Sequence, residues 1–150
     1  MDQNKKKSER NLSNFTKVTV TSLKQIKVPG GNVKRYIRAT DPNFKGFGEV
    51  YFSHISFNQI KAWKRHKRMT LNITVPIGWV KFVFWDEELD ICEEITIGDK
   101  AYNILTIKPN IWFGFKGMYS PTSLVANFTD MIHDTTEVDK REIDDINFSW

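Results

Sequence analysis

The chain has 150 residues, 40% of them hydrophobic and 13% aromatic, with a formal net charge of +4. That is enough apolar material for one folded domain with a sizeable core, and it excludes a disordered polymer. A single cysteine, Cys92, excludes an internal disulfide, and no run approaches the roughly 18 apolar residues a spanning helix needs.

The opening "MDQNKKKSER" holds four of the basic residues and no apolar stretch of the signal-peptide kind. Residues 1–14 are therefore expected to be disordered or arm-like, followed by one domain over 15–150. The same features predict a soluble cytoplasmic protein with no membrane partner. "FTKVTVTSL" (15–23) alternates and is rich in β-branched residues, which predicts a strand. "VPGGN" (28–32) has turn chemistry, "VKRYIRA" (33–39) alternates again, and "TDPNFKG" (40–46) makes a second turn.

"FGEVYFSHISF" (47–57) puts Val50, Phe52 and His54 on one face and Tyr51, Ser53 and Ile55 on the other. His54 reads as a core or rim histidine. "MTLNITVPIGWVKFVFWD" predicts two strands broken at "VPIG" (75–78). The second is apolar on both faces, as in a strand inside a sandwich or under a partner subunit. "EITIGDKAYNILTI" (94–107) predicts a hairpin turning at Gly98-Asp99-Lys100. "PNIWFGF" (109–115) and "SLVANFT" (123–129) add two more strands, and the acidic "TTEVDKREIDD" suits a short helix or a turn. Eight or nine short strands with almost no helical periodicity predict an all-β sandwich or barrel of jelly-roll type.

One stretch carries chemistry. "IKAWKRHKR" (60–68) crowds cations around Trp63 immediately before the core strands. By composition alone it is a solvated strand end. The order of this strand, two core strands, a hairpin, "KPNIWFGFKG" and a final strand, however, resembles the cupin fold. More narrowly, it is similar to the dTDP-4-dehydrorhamnose 3,5-epimerase and nucleotide-sugar 3,4-ketoisomerase family. That family carries an Arg-Gly-x-His strand, in whose register Lys61 takes the Arg place, Ala62 the Gly and Lys64 the catalytic His. His66 falls where the ketoisomerases have a second His. The family's Pro-x-Gly-x-x-His-Gly-Phe loop resembles "KPNIWFGF", with Pro109, Gly114 and Phe115 kept and Phe113 in the His place. The family's acid, a tyrosine, falls near Asn127, where this chain has none. "NFKGFGEVYFS" resembles the family's Arg-Gly-x-Phe-x-Glu segment.

The resemblance implies a cupin-type jelly roll, dimeric, that epimerises or isomerises a nucleotide-linked 4-keto sugar, a dTDP-sugar by analogy, for surface polysaccharides. The chemistry is proton abstraction beside the C4 ketone, without cofactor. A binding cupin that has lost its acid and base is the alternative. His66 is the best base, since imidazole titrates near neutrality. Lys64, two residues away on the same strand face, can stabilise the enolate or act as base if desolvated. Ala62 would leave room for a sugar ring. Lys61 and Arg68 are expected on a diphosphate. Trp63, Trp112, Phe113 and Phe115 can stack on base or sugar, although such aromatics equally suit a core or dimer interface. Asn72 and Asn127, polar on apolar strands, must contact ligand or satisfy backbone. A metal is not expected, because Lys64-x-His66 with Phe113 lacks the ligand set of metal cupins. Nor is a nucleic-acid partner expected, since no basic stripe extends beyond 61–68.

Overall fold

The computed structural model describes residues 9–12 and 15–150. Thirteen strands are described: β1 (Glu9–Leu12), β2 (Phe15–Ser22), β3 (Gln25–Ile26), β4 (Val33–Lys34), β5 (Glu49–Ser56), β6 (Ile60–His66), β7 (Leu71–Ile77), β8 (Trp79–Asp86), β9 (Ile91–Gly98), β10 (Asn103–Ile107), β11 (Trp112–Gly117), β12 (Thr122–Thr129) and β13 (Val138–Lys140). They form a six-stranded sheet, β1-β2-β10-β7-β12-β5, facing a five-stranded sheet, β13-β6-β11-β8-β9. All pairings are antiparallel, and the architecture is the jelly roll expected. Of the N-terminal segment, residues 9–12 pair along β2, while 1–8, 13 and 14 lie outside the described residues.

Alternation builds the core. Val18, Val20, Leu71, Ile73, Val75, Leu105 and Ile107 point inward from one sheet and meet Val80, Phe82, Phe84 and Ile97 from the other. These side chains recur at every second residue, so each strand gives the core one face. Gly78, at φ +88°, turns β7 into β8 and carries the chain between the sheets.

The outer faces are covered by the chain's own irregular segments. The second face of β8, with Val83 and Trp85, lies under Ile146, Phe148 and Trp150 of the C-terminal tail. No partner subunit is needed to explain its apolarity. The tail itself is two 3-10 turns, Thr135–Glu137 and Ile143–Asp145, with β13 between them. On the opposite side, only Val33–Lys34 of the expected 33–39 strand joins a ladder. The remainder crosses the six-stranded sheet, and the Tyr36 hydroxyl donates to the carbonyls of Asn72 and Ala126.

The expected 94–107 hairpin does not form. β9 pairs with β8 and β10 with β2 and β7, so the Gly98–Ala101 turn passes the chain from one sheet to the other. Period-two alternation identifies strands but is blind to which sheet each one joins.

Candidate functional site

One end of the inter-sheet space is closed by the core, and the other opens into a cavity of about 170 Å³. Its walls are Tyr51 and Ser53 of β5, Lys61, Lys64 and His66 of β6, Ile73 of β7, and Phe113 and Phe115 of β11. Val125 and Asn127 of β12, His133 of the following loop, and Val138 and Lys140 of β13 complete it.

A bulge decides what β6 offers. Along β11, Phe113 sits opposite Lys64 and Phe115 opposite Lys61, so Ala62 and Trp63 together oppose the single residue Gly114. A two-against-one bulge shifts the alternation by one residue. Lys61 consequently joins Lys64 and His66 on the cavity face, while Ala62 and Trp63 both turn outward. The expectation that Ala62 makes room for a sugar is thereby corrected: it packs in the outer aromatic cluster. The Cβ of Ala62 would lie 2.6 Å from any Cβ added at Gly114, which explains why residue 114 is glycine.

Trp63 and Trp112 face the same way. Trp63 is 1% exposed, packed with Val83, Trp112 and Ile146, and its indole N–H donates to the Ile143 carbonyl. The Trp112 ring meets the guanidinium groups of Arg65 and Arg141, each 4.7 Å from its centroid. Both tryptophans are corrected from ligand-stacking residues to anchors of the C-terminal tail. Asn72 is also corrected. It turns away from the cavity and accepts from Asn43 at 3.2 Å and Thr106 at 2.7 Å. Its own amide donates to the Asn43 carbonyl. Arg68 is largely exposed at the strand end, paired with Asp134 at 3.0 Å and outside the cavity wall. His54 is exposed on the outer face of β5 rather than in the core or rim.

The other expected residues converge on the cavity: His66, Lys64, Lys61, Phe113, Phe115 and Asn127. Three further residues were not anticipated. The first is Glu137, 1% exposed, whose carboxylate is bonded to Nδ1 of His66 and accepts from the Arg68 and Met69 amides, both at 3.1 Å. Burial alone would raise this carboxyl. The bonds from His66 and the two amides outweigh it and hold the group below the usual glutamate range.

The second is Tyr51. Its hydroxyl accepts from Nδ2 of Asn127 at 2.6 Å, the two residues being directly opposed across β5 and β12. A phenol is thus present at the Asn127 position after all, delivered from the neighbouring strand. Burial pushes its hydroxyl up, and the Asn127 bond opposes this. The third is Lys140, opposite Lys64 on the edge strand β13. Burial first, then the charges of Lys140 and Lys61, hold the Lys64 ammonium below the usual lysine value.

Among the described residues no group of three or more His, Cys, Asp or Glu is placed to hold a metal ion. The fold and site define a cupin-type jelly roll whose cavity brings together a carboxylate-held imidazole, a phenol and three lysines.

No family model and no curated protein matches the chain. Solved structures do. A dTDP-sugar isomerase from Desulfovibrio desulfuricans is 35% identical with a TM-score of 0.84, the alignment covering 89% of this chain and 90% of that one. A 3,4-ketoisomerase from Thermoanaerobacterium thermosaccharolyticum, solved with TDP-4-keto-6-deoxyglucose, is 18% identical at TM-score 0.73, covering 88% and 95%. A 3,5-epimerase from Legionella pneumophila, solved with dTDP-4-keto-L-rhamnose, is 11% identical at TM-score 0.77, covering 91% and 79%. The last two share the fold. The first, at its identity and coverage, shows the family: this chain belongs to the cupin-fold dTDP-sugar isomerases.

Proposed function

We propose that the chain is a metal-independent isomerase or epimerase of a dTDP-linked 4-keto-6-deoxy sugar, acting by proton transfer at a carbon beside the C4 ketone. The observation that carries this reading is the buried Glu137–His66 pair opening on a lysine-lined cavity. A hydrogen α to a ketone is acidic because the electron pair left behind delocalises onto oxygen. Glu137 on Nδ1 fixes the imidazole tautomer and leaves Nε2 as the base. Its negative charge also offsets the positive charge the ring gains with the proton. Lys64, close by on the same strand, provides a cation for the enolate oxygen. His66 is therefore the base and Lys64 the stabiliser.

Reprotonation needs an acid. Tyr51 stands on the six-stranded sheet and His66 on the five-stranded one, so the two address a sugar from opposite walls. Lys61 and Lys140 supply point charges for a diphosphate, and Phe113 and Phe115 offer ring faces to sugar or base. The alternative, a binding module without acid or base, is disfavoured because imidazole, carboxylate and phenol are all in the cavity wall or directly behind it.

A homodimer is part of the proposal. Edge strand β5 leaves Val50 and Phe52 exposed, the latter by 63%, with Phe47 and Phe57 beside them. An apolar unpaired edge favours a second copy. Among the described residues no helix is long and apolar enough to cross a membrane, and one cysteine closes no internal disulfide. Both agree with work in the cytoplasm, and sugars destined for surface polysaccharide are proposed on the sequence resemblance alone.

The test is incubation with TDP-4-keto-6-deoxyglucose in D2O, followed by proton NMR. Deuterium should enter beside the ketone with the wild type and stop entering with His66→Asn. A silent wild type, or an unchanged His66→Asn, overturns the proposal.

A further inference from the structure

We propose that Asn127 is a positioning residue for Tyr51, holding the phenol oxygen by its amide N–H so that the phenolic proton remains free for the substrate. This rests on the assignment of Tyr51 as the acid.

The geometry is specific. The two residues are directly opposed in the β5–β12 ladder, and Nδ2 lies 2.6 Å from the hydroxyl oxygen. A phenol has one proton to give and lone pairs to receive. A donor on its oxygen occupies a lone pair and leaves the proton unspent. When that proton passes to the substrate carbon, the O–H bond breaks and its electron pair stays on oxygen. The amide N–H then bonds a charged acceptor, and such bonds are the stronger kind. Asn127 thus favours the product side of the transfer more than the reactant side, which is the requirement for assisting it.

A second observation shows that packing does not explain an asparagine here. Asn127 is 6% exposed, and its Oδ1 is enclosed with no hydrogen-bond partner among the described residues. Its neighbours on this face, Val125 and Ile73, are apolar. A buried acceptor without a donor costs free energy that a valine would not incur. The bond to Tyr51 is what the amide contributes in return.

The charged and titratable groups around Tyr51 are Glu49 on its own strand, Glu137, and, in the cavity wall, Lys61, Lys64, His66, Lys140 and His133. All are unchanged in variants at 127, so a difference between such variants isolates the amide.

The experiment compares wild type, Asn127→Val, Asn127→Asp and Tyr51→Phe. Tyr51 ionisation is followed by ultraviolet tyrosinate absorbance, taking Tyr51→Phe as the blank, and turnover by deuterium exchange on TDP-4-keto-6-deoxyglucose. Asn127→Val should move the Tyr51 midpoint up by about one pH unit and lower kcat roughly tenfold or more, with KM little changed. Asn127→Asp has the same shape but repels a phenolate and should act at least as strongly. It also serves if the valine variant does not fold. An unmoved midpoint in the folded variant overturns the proposal, as does wild-type kcat in Asn127→Asp. If instead Tyr51→Phe keeps full turnover, the acid assignment falls, and the titration still decides whether Asn127 holds the phenol.

Discussion

The carboxylate of Glu137 grips the imidazole of His66 from 71 residues further along the chain. It sits on the 3-10 turn that leads into β13, and β13 pairs with β6, the strand that carries His66. The C-terminal segment therefore does two things. It covers the outer face of the five-stranded sheet, and it places a buried charge behind the proposed base.

Glu137→Gln tests that second role. The amide keeps an acceptor for the Arg68 and Met69 N–H groups, so the turn should stay folded. It loses the charge that offsets a protonated imidazole, and its NH2, facing Nδ1, donates there and puts the ring proton on Nε2, the wrong tautomer for a base. Exchange of the α-proton should fall roughly 100-fold in kcat, with KM nearly unchanged. A KM effect without a kcat effect would mean that Glu137 only shapes the pocket.

The same carboxylate makes stability depend on pH. Its folded-state value lies below the unfolded one, since the bonds from His66 and the two amides outweigh burial. Such a group stabilises fully above the ordinary glutamate value of about 4.3, and the contribution is lost as pH falls through the depressed folded value. The melting-temperature gap between wild type and Glu137→Gln should therefore be constant from pH 6 to about 5 and shrink below about 4. A gap that widens on acidification would reverse the sign and refute the account.

The jelly roll was legible because period-two alternation is imposed by strand geometry at every residue. His66, Lys64, Lys61 and Phe113 were legible because the family's motif order survives in degraded form. What failed depended on events that no local pattern encodes. The bulge at Ala62-Trp63 turned Ala62 away from the cavity and Lys61 into it, while Trp63 faces outward by alternation alone, opposite to Lys64 and His66. Trp112 and Asn72 read as site residues because they are conspicuous, yet conspicuous polar and aromatic groups also anchor covering segments. Tyr51 was placed on the correct strand face, but its role depends on β5 pairing with β12, a contact between residues far apart in sequence. Glu137 lay in an acidic run, where one buried carboxylate looks like its exposed neighbours.

Gly114→Ala tests the bulge. The new Cβ would lie 2.6 Å from the Ala62 Cβ and 3.0 Å from the Trp150 ring, in a cluster that is already closely packed. Overpacking of this kind costs about 1–3 kcal/mol, read as a lower urea midpoint. Ala62→Gly in the same chain should recover much of the loss, because it removes the nearest obstructing atom. Failure of the double variant to recover would show that the backbone, not the methyl groups, sets the distance.

Lys140→Met tests the lysine ring. Burial comes first among the causes that depress the Lys64 ammonium, and Lys140 and Lys61 add like-charge repulsion. Removing the Lys140 charge while keeping its bulk should let the Lys64 value rise toward that of an ordinary lysine. An amine-specific reagent reacts only with the neutral form, so labelling of Lys64 at pH 8 should slow by roughly threefold. At about pH 11 both proteins hold the neutral amine and their rates should coincide, which separates charge from access. Unchanged labelling at pH 8 would leave burial and the Lys61 charge as the causes. Faster labelling at both pH values would show that Lys140 shields Lys64 instead of repelling it. The expected result, slower at pH 8 and equal at pH 11, is what a cavity built to receive an anion should give, because its cations raise one another's free energy until the ligand arrives.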